Sequence, residues 1–467
     1  MHDDRANGSA RPSADGTRSV TFAPARRTPA LIVASGGVML IGFNTIDLGP
    51  LPIGDMVFFG VAGLLCLLLL TGRISQLSAP GARRASPRLL VATLVLLGMA
   101  TVSTFRSWYP LASAGVVLRL AYLTVLWFWI LRCLSVDRRA VGRLMTGWRW
   151  GVVIASLGAL AANAGLISLG VPNPENRQTA WFGHPNDLAG YLAVAVPVFV
   201  IGAPRLVQGA KRHAGLRRIV VAGLVVFALA TTGSMSGLMA AAAGLAAAGV
   251  AMSLTRRSGR RRTVHPLKAM ATITIVGILL TVLFSSDVPV VERLTRLEEG
   301  DQAVSSSVGT RGALNERVIT QFDDLLVLGH GLDEAAQNDL RGGRTGAGGV
   351  HNMFVKLLYE GGFIATLALV AVLWIMLQQA WMLLVNMRSS ELHSDVAAVL
   401  GGAVAAIVFA MFQPTMFHRH FWLPFAMIQC YWTVRRSELR AQMLASDPSS
   451  SGGKPALSRT SASRPLM

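Results

Sequence analysis

Arginine and histidine residues recur in the polar segments that separate the apolar runs of this chain. The stretch from Val304 to Gly362 holds Arg311 and Arg317 before a Gly-rich tract, and it holds His351 just before Asn352. A guanidinium group stays charged and matches phosphate oxygens, whereas histidine accepts a proton from a hydroxyl group near neutral pH. These residue types predict a site that binds a phosphorylated ligand and activates a hydroxyl group.

Other parts of the chain add candidates of the same types. Arg177 precedes the segment that contains Asn186, and Arg119 lies inside an apolar run, where a buried charge is costly and often functional. For Arg119 the alternatives are snorkelling to the membrane surface or pairing with a carboxylate such as Asp55. The further candidates in polar segments are Arg293, Arg296, Arg341, Arg344, Arg419, His184, His330, His418 and His420.

Each candidate also has a purely structural interpretation. A loop arginine is usually solvated, and a histidine before a helix can be a simple interfacial residue. Asn352, Lys356 and Glu360 are spaced four residues apart on one face of a predicted helix, where Lys356 and Glu360 are expected to pair. The sequence has no CxxC or HExxH motif, and its three cysteines lie in or beside apolar runs. We therefore expect neither a metal nor another cofactor.

The composition predicts a polytopic all-α membrane protein. Of the 467 residues, 52% are hydrophobic and 14% are charged, whereas soluble domains carry about 25% charged residues. A spanning helix needs about 20 apolar residues. About twelve runs approach this length, at 30–46, 52–71, 89–105, 111–131, 151–170, 187–203, 218–232, 235–254, 267–285, 361–385, 395–414 and 421–434.

The distribution of charge predicts the orientation of these spans. The net charge of +19 comes from short basic clusters between apolar runs, which is the positive-inside pattern and not a nucleic-acid-binding surface. Both termini are then cytoplasmic, and a long loop at 286–352 between spans nine and ten faces outward. We expect disordered tails at 1–29 and 445–467 around one transmembrane domain at 30–444, in the inner (plasma) membrane.

Two local features concern the candidate residues directly. The loop at 171–186 contains three prolines, and Asn186 or Asp187 is expected to cap the helix that follows. Residues 353–360 are expected to form a helical lead-in to the tenth span.

Four stretches of the chain resemble the O-antigen ligase and polymerase superfamily of bacterial membrane glycosyltransferases. They also depart from its pattern at two places, because Met235 stands where the family often has arginine and His184-Pro185 replaces an Asn-Pro pair. The stretches are Arg177 to Ala189, Thr232-Gly-Ser-Met-Ser-Gly237, Gly309-Thr-Arg311 through Gly329-His-Gly331, and His351-Asn352 through Glu360-Gly361-Gly362.

This resemblance implies an enzyme of cell-surface polysaccharide biosynthesis. A glycan would pass from undecaprenyl diphosphate to an acceptor hydroxyl at the outer face of the inner membrane, without a nucleotide sugar or a metal. The expected partners are this donor, a glycan or lipid acceptor, membrane lipids and envelope-assembly proteins. Together with the chemistry of the residues, the resemblance predicts catalytic roles for His351 and Arg311, and substrate-binding roles for Arg177, Arg317, Asn186, Asn352 and Arg119.

Alternatives remain open at this point. A polymerase would extend the glycan on its lipid, whereas a ligase would move the finished glycan to another acceptor, and no motif separates the two. About twelve spans and an intramembrane Arg119 would also suit a secondary transporter or flippase of polysaccharide precursors. A non-catalytic scaffold in an envelope complex would account for Met235 but not for the placement of His351 and Asn352.

Overall fold

The computed structural model describes residues 29–42, 53–71, 86–167, 177–202, 214–255, 327–332, 350–386 and 390–446. Within these ranges 85% of the residues are helical and there are no strands, which confirms the all-α prediction. The helices of the described ranges are α1 Pro29–Met39, α2 Ile53–Leu70, α3 Pro87–Thr104, α4 Pro110–Ala121, α5 Trp127–Leu134, α6 Arg138–Asn163, α7 Pro185–Val200, α8 Ala214–Thr231, α9 Met235–Thr255, α10 Met353–Asn386, α11 Ser390–Ala410 and α12 Arg419–Ser446. A π-helical turn at Tyr122–Leu126 joins α4 to α5, and 3₁₀ turns follow α1 at Leu40–Gly42 and precede α12 at Thr415–Phe417.

Apolar length identifies a multi-pass membrane protein. Each predicted span except the ninth overlaps a helix of the described ranges. The ninth, at 267–285, lies outside the described residues, as does most of the loop 286–352. Among the residues that the structure describes, six helical segments are long and apolar enough to cross a membrane: Pro87–Thr104, Pro110–Leu134, Arg138–Asn163, Met235–Thr255, Met353–Asn386 and Leu392–Ala410.

The start of α10 agrees with the sequence-based prediction, whereas the cap of α7 does not. α10 starts at Met353, so the predicted helical lead-in at 353–360 is confirmed. The predicted cap of α7 by Asn186 or Asp187 is wrong, because His184 is the capping residue and its Nδ1 accepts the backbone N–H of Asn186 at 3.1 Å. Pro185 then occupies the first helical position, where its fixed φ and missing N–H are tolerated.

α7 and the first half of α12 form the centre of the bundle. Every residue from Leu188 to Val200 and from His420 to Tyr431 is buried. A helix that is apolar on all sides is stable only when other helices surround it. Here α9 and α11 pack on α7, while α5, α10 and α11 pack on α12. The two central helices therefore bring the residues at their N-termini into the interior of the protein.

Small residues set the distance between α9 and α11. A Cβ added at Gly244 would lie 2.6 Å from the carbonyl oxygen of Gly401, and one added at Gly401 would lie 2.5 Å from the oxygen of Gly244. Membrane helices gain little from hydrophobic burial against each other, so close packing of small residues contributes much of their association. These two glycines allow the backbones of α9 and α11 to touch.

Substitution of Gly244 tests this contact. Gly244→Ala forces a Cβ into the backbone of α11, and we expect it to destabilise the folded protein by about 1–3 kcal/mol, measured as a lower thermal midpoint in detergent. Gly98→Ala is the matched control, because a Cβ there meets nothing within 4 Å and alanine is the better helix former. Equal midpoints for the two variants would contradict the close contact.

Candidate functional site

The loop before α7 is fastened to the turn between α8 and α9. The half-buried Arg177 donates from Nε to the carbonyl oxygen of Thr232 at 2.7 Å and from Nη2 to Oδ1 of Asn186 at 2.8 Å. The backbone N–H of Gln178 donates to the oxygen of Thr231 at 3.1 Å. Arg177 and Asn186, two predicted site residues, are therefore bonded to each other, and Arg177 is also bonded to the second stretch that carries the family resemblance.

A second connection runs from α7 to the start of α12. Nδ1 of His418 lies 3.5 Å from Oδ1 of Asp187, and both side chains remain partly exposed. The next residue, Arg419, binds both carboxylate oxygens of Asp55 through Nε and Nη2. Tyr122 donates its hydroxyl to the same carboxylate at 2.9 Å. Arg419 and Asp55 are buried, so this ion pair joins α2 and α12 inside the bundle.

Charged groups from four helices, α4, α7, α10 and α12, act on His418, which lies between α11 and α12. Burial lowers the pKa of His418, the carboxylate of Asp187 opposes this change, and the positive charges of Arg119, Arg419 and Lys356 lower the pKa further. Arg119 is exposed on α4. Asp55, the carboxylate considered as its partner, is held by Arg419 and Tyr122.

These groups define a set that we call the polar cluster. Its members come from α2, α4, the π-helical turn, α7, α10, α12 and the segments before α7 and α12, and they combine several cations with carboxylates and one imidazole. Such a set can bind phosphate through its cations and hydroxyl groups through its carboxylates. The polar cluster consists of Asp55, Arg119, Tyr122, Arg177, Asn186, Asp187, Lys356, His418 and Arg419.

The beginning of α10 carries the predicted catalytic histidine. His351 is half-buried and directly precedes Asn352. The side-chain oxygen of Asn352 accepts the backbone N–H groups of Phe354 at 2.9 Å and Val355 at 3.2 Å, so it caps the helix. This contact explains Asn352 in structural terms, while its substrate-binding role stays a prediction.

One turn further along α10, the expected side-chain pair is present. Nζ of Lys356 lies 3.7 Å from Oε1 of Glu360, which confirms the predicted pairing at i, i+4. Glu360 is fully buried, so Lys356 brings a positive charge to a carboxylate that the bundle encloses.

A glycine-rich segment docks on α10 directly through its backbone. Gly331 donates its N–H to the oxygen of Glu360 at 2.8 Å, and His330 donates to the oxygen of Tyr359 at 3.1 Å while its ring stacks on that tyrosine. Gly329, Gly331 and Gly362 all have positive φ, and a Cβ at Gly329 would collide with the oxygen of Glu360. Only glycine combines this conformation with so close an approach. The third and fourth stretches of the resemblance are thus held together.

Several predicted residues cannot be placed. The predicted catalytic Arg311 and substrate-binding Arg317 lie outside the described residues. Among the residues that the structure does describe, no group of three or more His, Cys, Asp or Glu side chains is arranged to hold a metal ion. The other candidates outside the described ranges are Arg293, Arg296, Arg341 and Arg344.

Sequence reasoning missed several members of the polar cluster. Asp187 is expected to be a helix cap and Asp55 an alternative partner for Arg119, whereas His418 and Arg419 are named only among the further candidates. One signal was available: a carboxylate in the first turn of an apolar helix requires a cation nearby, and Arg419 begins another largely apolar helix.

Breaking the Asp55–Arg419 pair should strongly destabilise the fold. Arg419→Met leaves a buried carboxylate without its cation, and we expect a loss of about 3–5 kcal/mol, measured as a lower thermal midpoint in detergent. The double variant Asp55→Leu/Arg419→Met removes both charges and should recover much of this loss. If the double variant were no more stable than Arg419→Met, the ion pair would not be the source of the effect.

The lowered pKa of His418 predicts a pH dependence of stability. The unfolded chain protonates this histidine near pH 6.5, whereas the folded chain resists protonation, so the folded state loses stability as the pH falls through about 6.5. His418→Asn should reduce the difference between the thermal midpoints at about pH 7.5 and about pH 5.5. An unchanged difference would contradict the role of burial and neighbouring cations at His418.

Comparison with known proteins adds one finding. Residues 220–370 match the family model described as O-Antigen ligase, a range that includes three of the four resembling stretches and excludes the one around Arg177. No curated protein matches the chain. The predicted resemblance is thus confirmed by a comparison that does not depend on single motifs. The match of residues 220–370 to the O-antigen ligase model supports membership of this chain in the O-antigen ligase family.

Proposed function

We propose that the protein transfers a glycan from undecaprenyl diphosphate to an acceptor hydroxyl group at the outer face of the inner membrane. The observation that supports this function best is that the family match covers the glycine segment at 329–331 and the start of α10, which are bonded to each other. An O-antigen ligase or polymerase type of activity agrees with this match, and it implies lipid-linked glycan substrates.

The proposed reaction assigns the predicted residues to two tasks. The acceptor oxygen attacks the anomeric carbon and forms a new C–O bond, while the bond from that carbon to the diphosphate oxygen breaks. The diphosphate leaves with the bonding electron pair, and the acceptor proton passes to His351. Arg311, Arg317 and Arg119 would stabilise the charge on the leaving diphosphate, because a charge-assisted contact strengthens as negative charge develops.

Arg177 and Asn186 contribute to the same site in a different way. Because Arg177 donates to both Asn186 and Thr232, its guanidinium is held in one orientation at the start of α7. We propose that it supports the N-terminal turn of α7 as well as binding the diphosphate. Met235, which stands where the family often has arginine, is the first residue of α9. It lies beside the turn to which Arg177 is hydrogen-bonded.

Replacement of His351 tests the proposed base. His351→Ala should lower the rate of glycan transfer by about 100-fold or more, because general-base catalysis contributes about that much. The assay uses purified protein in detergent with EDTA present, a lipid-diphosphate-linked oligosaccharide and candidate acceptors. His393→Ala is the matched control, because His393 lies near the start of α11 and contacts Thr255 at the end of α9, and it is not part of the polar cluster.

The products distinguish the remaining alternatives. Longer glycans on the lipid would identify a polymerase, and glycan on a different acceptor with free undecaprenyl diphosphate would identify a ligase. Equal rates for His351→Ala, His393→Ala and the unmodified protein would overturn the role of His351. Transport of a lipid-linked precursor without any transfer would favour the transporter alternative.

A further inference from the structure

Two side chains of the polar cluster suit a hydroxyl-bearing ligand better than a phosphate. Asp187 and His418 face each other with 3.5 Å between Oδ1 and Nδ1. This distance is longer than an ordinary hydrogen bond between nitrogen and oxygen, so the contact leaves the hydrogen-bonding capacity of both groups to a ligand. The side chain of His418 is 28% exposed and that of Asp187 is 25% exposed, so both are within reach of a ligand.

The structure holds Asp187 in place. It follows Asn186, whose side chain is bonded to Arg177, and its own backbone N–H donates to the oxygen of His184 at 3.0 Å. The first turn of α7 thus cannot shift without breaking the contact to the turn between α8 and α9.

The structure holds His418 equally firmly. Its N–H donates to the oxygen of Thr415 at 2.9 Å, and Arg419 is tied to Asp55. Trp422 closes the same turn by donating from Nε1 to the oxygen of Met416 at 2.7 Å. Because the backbone is fixed at both residues, binding a ligand there requires less ordering than it would on a mobile loop.

The charges around the pair separate two kinds of ligand group. Burial, and after it the positive charges of Arg119, Arg419 and Lys356, lower the pKa of His418, so the imidazole is neutral near pH 7 and offers both a donor and an acceptor. A phosphate oxygen would be repelled by the carboxylate of Asp187, but a hydroxyl group can donate to it. The neighbouring cations suit a phosphate. A ligand with hydroxyl groups directly beside a phosphate can contact the Asp187–His418 pair with its hydroxyl groups and the neighbouring cations with its phosphate.

We propose that Asp187 and His418 bind the hydroxyl groups of the sugar that is attached directly to the diphosphate of the lipid-linked donor. This inference rests on the proposed function, because it takes the glycan-bearing lipid as the ligand. The pair forms the sugar side of the site, and the neighbouring cations form the diphosphate side.

A comparison of two lipids tests the proposal by direct binding. The probes are undecaprenyl diphosphate alone and undecaprenyl diphosphate that carries one hexose, each titrated into purified protein in detergent. Asp187→Leu and His418→Phe should each weaken binding of the hexose-bearing lipid by about tenfold and change binding of the bare lipid by less than about twofold. Asp187→Asn, which keeps the shape of the side chain, should give a smaller loss in the same direction.

The controls separate this proposal from the proposed function. Arg119→Ala should weaken both lipids, and His393→Phe should weaken neither. Equal losses for both lipids in Asp187→Asn and His418→Phe, or no loss for either, would overturn the sugar site while leaving the proposed function in place. If the unmodified protein bound neither lipid, the proposed function would fail and the sugar site with it.

Discussion

The buried ion pair between Asp55 and Arg419 is the constraint on which the polar cluster depends. Two charges inside an apolar bundle cost several kcal/mol each in lost hydration, and only a close and fully bonded geometry offsets that cost. Arg419 therefore contacts both oxygens of Asp55, and Tyr122 adds a hydrogen bond to the same carboxylate. This contact ties together α2, the π-helical turn after α4 and the start of α12. His418, the residue before Arg419, is positioned as a result.

Backbone hydrogen bonds hold a second part of the structure together, at the start of α10. The glycine segment at 329–331 donates two N–H groups to carbonyl oxygens of α10, beside the kink at Gly362. Because a carbonyl inside a regular helix is already bonded, such contacts require the irregular geometry that Gly362 introduces. The segment also reaches α4, where Ser113 donates to the oxygen of Leu332 at 2.7 Å. The described part of the long loop, residues 327–332, is thus attached to both α10 and α4.

The sequence predicted the helices well because their cause is local. Apolar runs of about 20 residues, proline at helix starts and the i, i+4 pair of Lys356 and Glu360 depend on neighbours along the chain. The pairing of Asp55 with Arg419, and of Asp187 with His418, depends on which helices meet. The sequence indicates that Asp55 needs a cation nearby, but it does not indicate which helix supplies that cation. The prediction of the α7 cap was wrong because asparagine and aspartate are the common capping residues. At this helix the imidazole nitrogen of His184 accepts the N–H instead.

Release of undecaprenyl diphosphate is the measurement that tests the central claim most directly. Purified protein in detergent would be incubated with an undecaprenyl-diphosphate-linked oligosaccharide and an acceptor, without a membrane or an ion gradient. If the protein is a glycosyltransferase, free undecaprenyl diphosphate or a lengthened lipid-linked glycan accumulates with turnover. Retention of the intact donor, together with its transport across vesicles that contain the protein, would contradict an enzyme and identify a transporter.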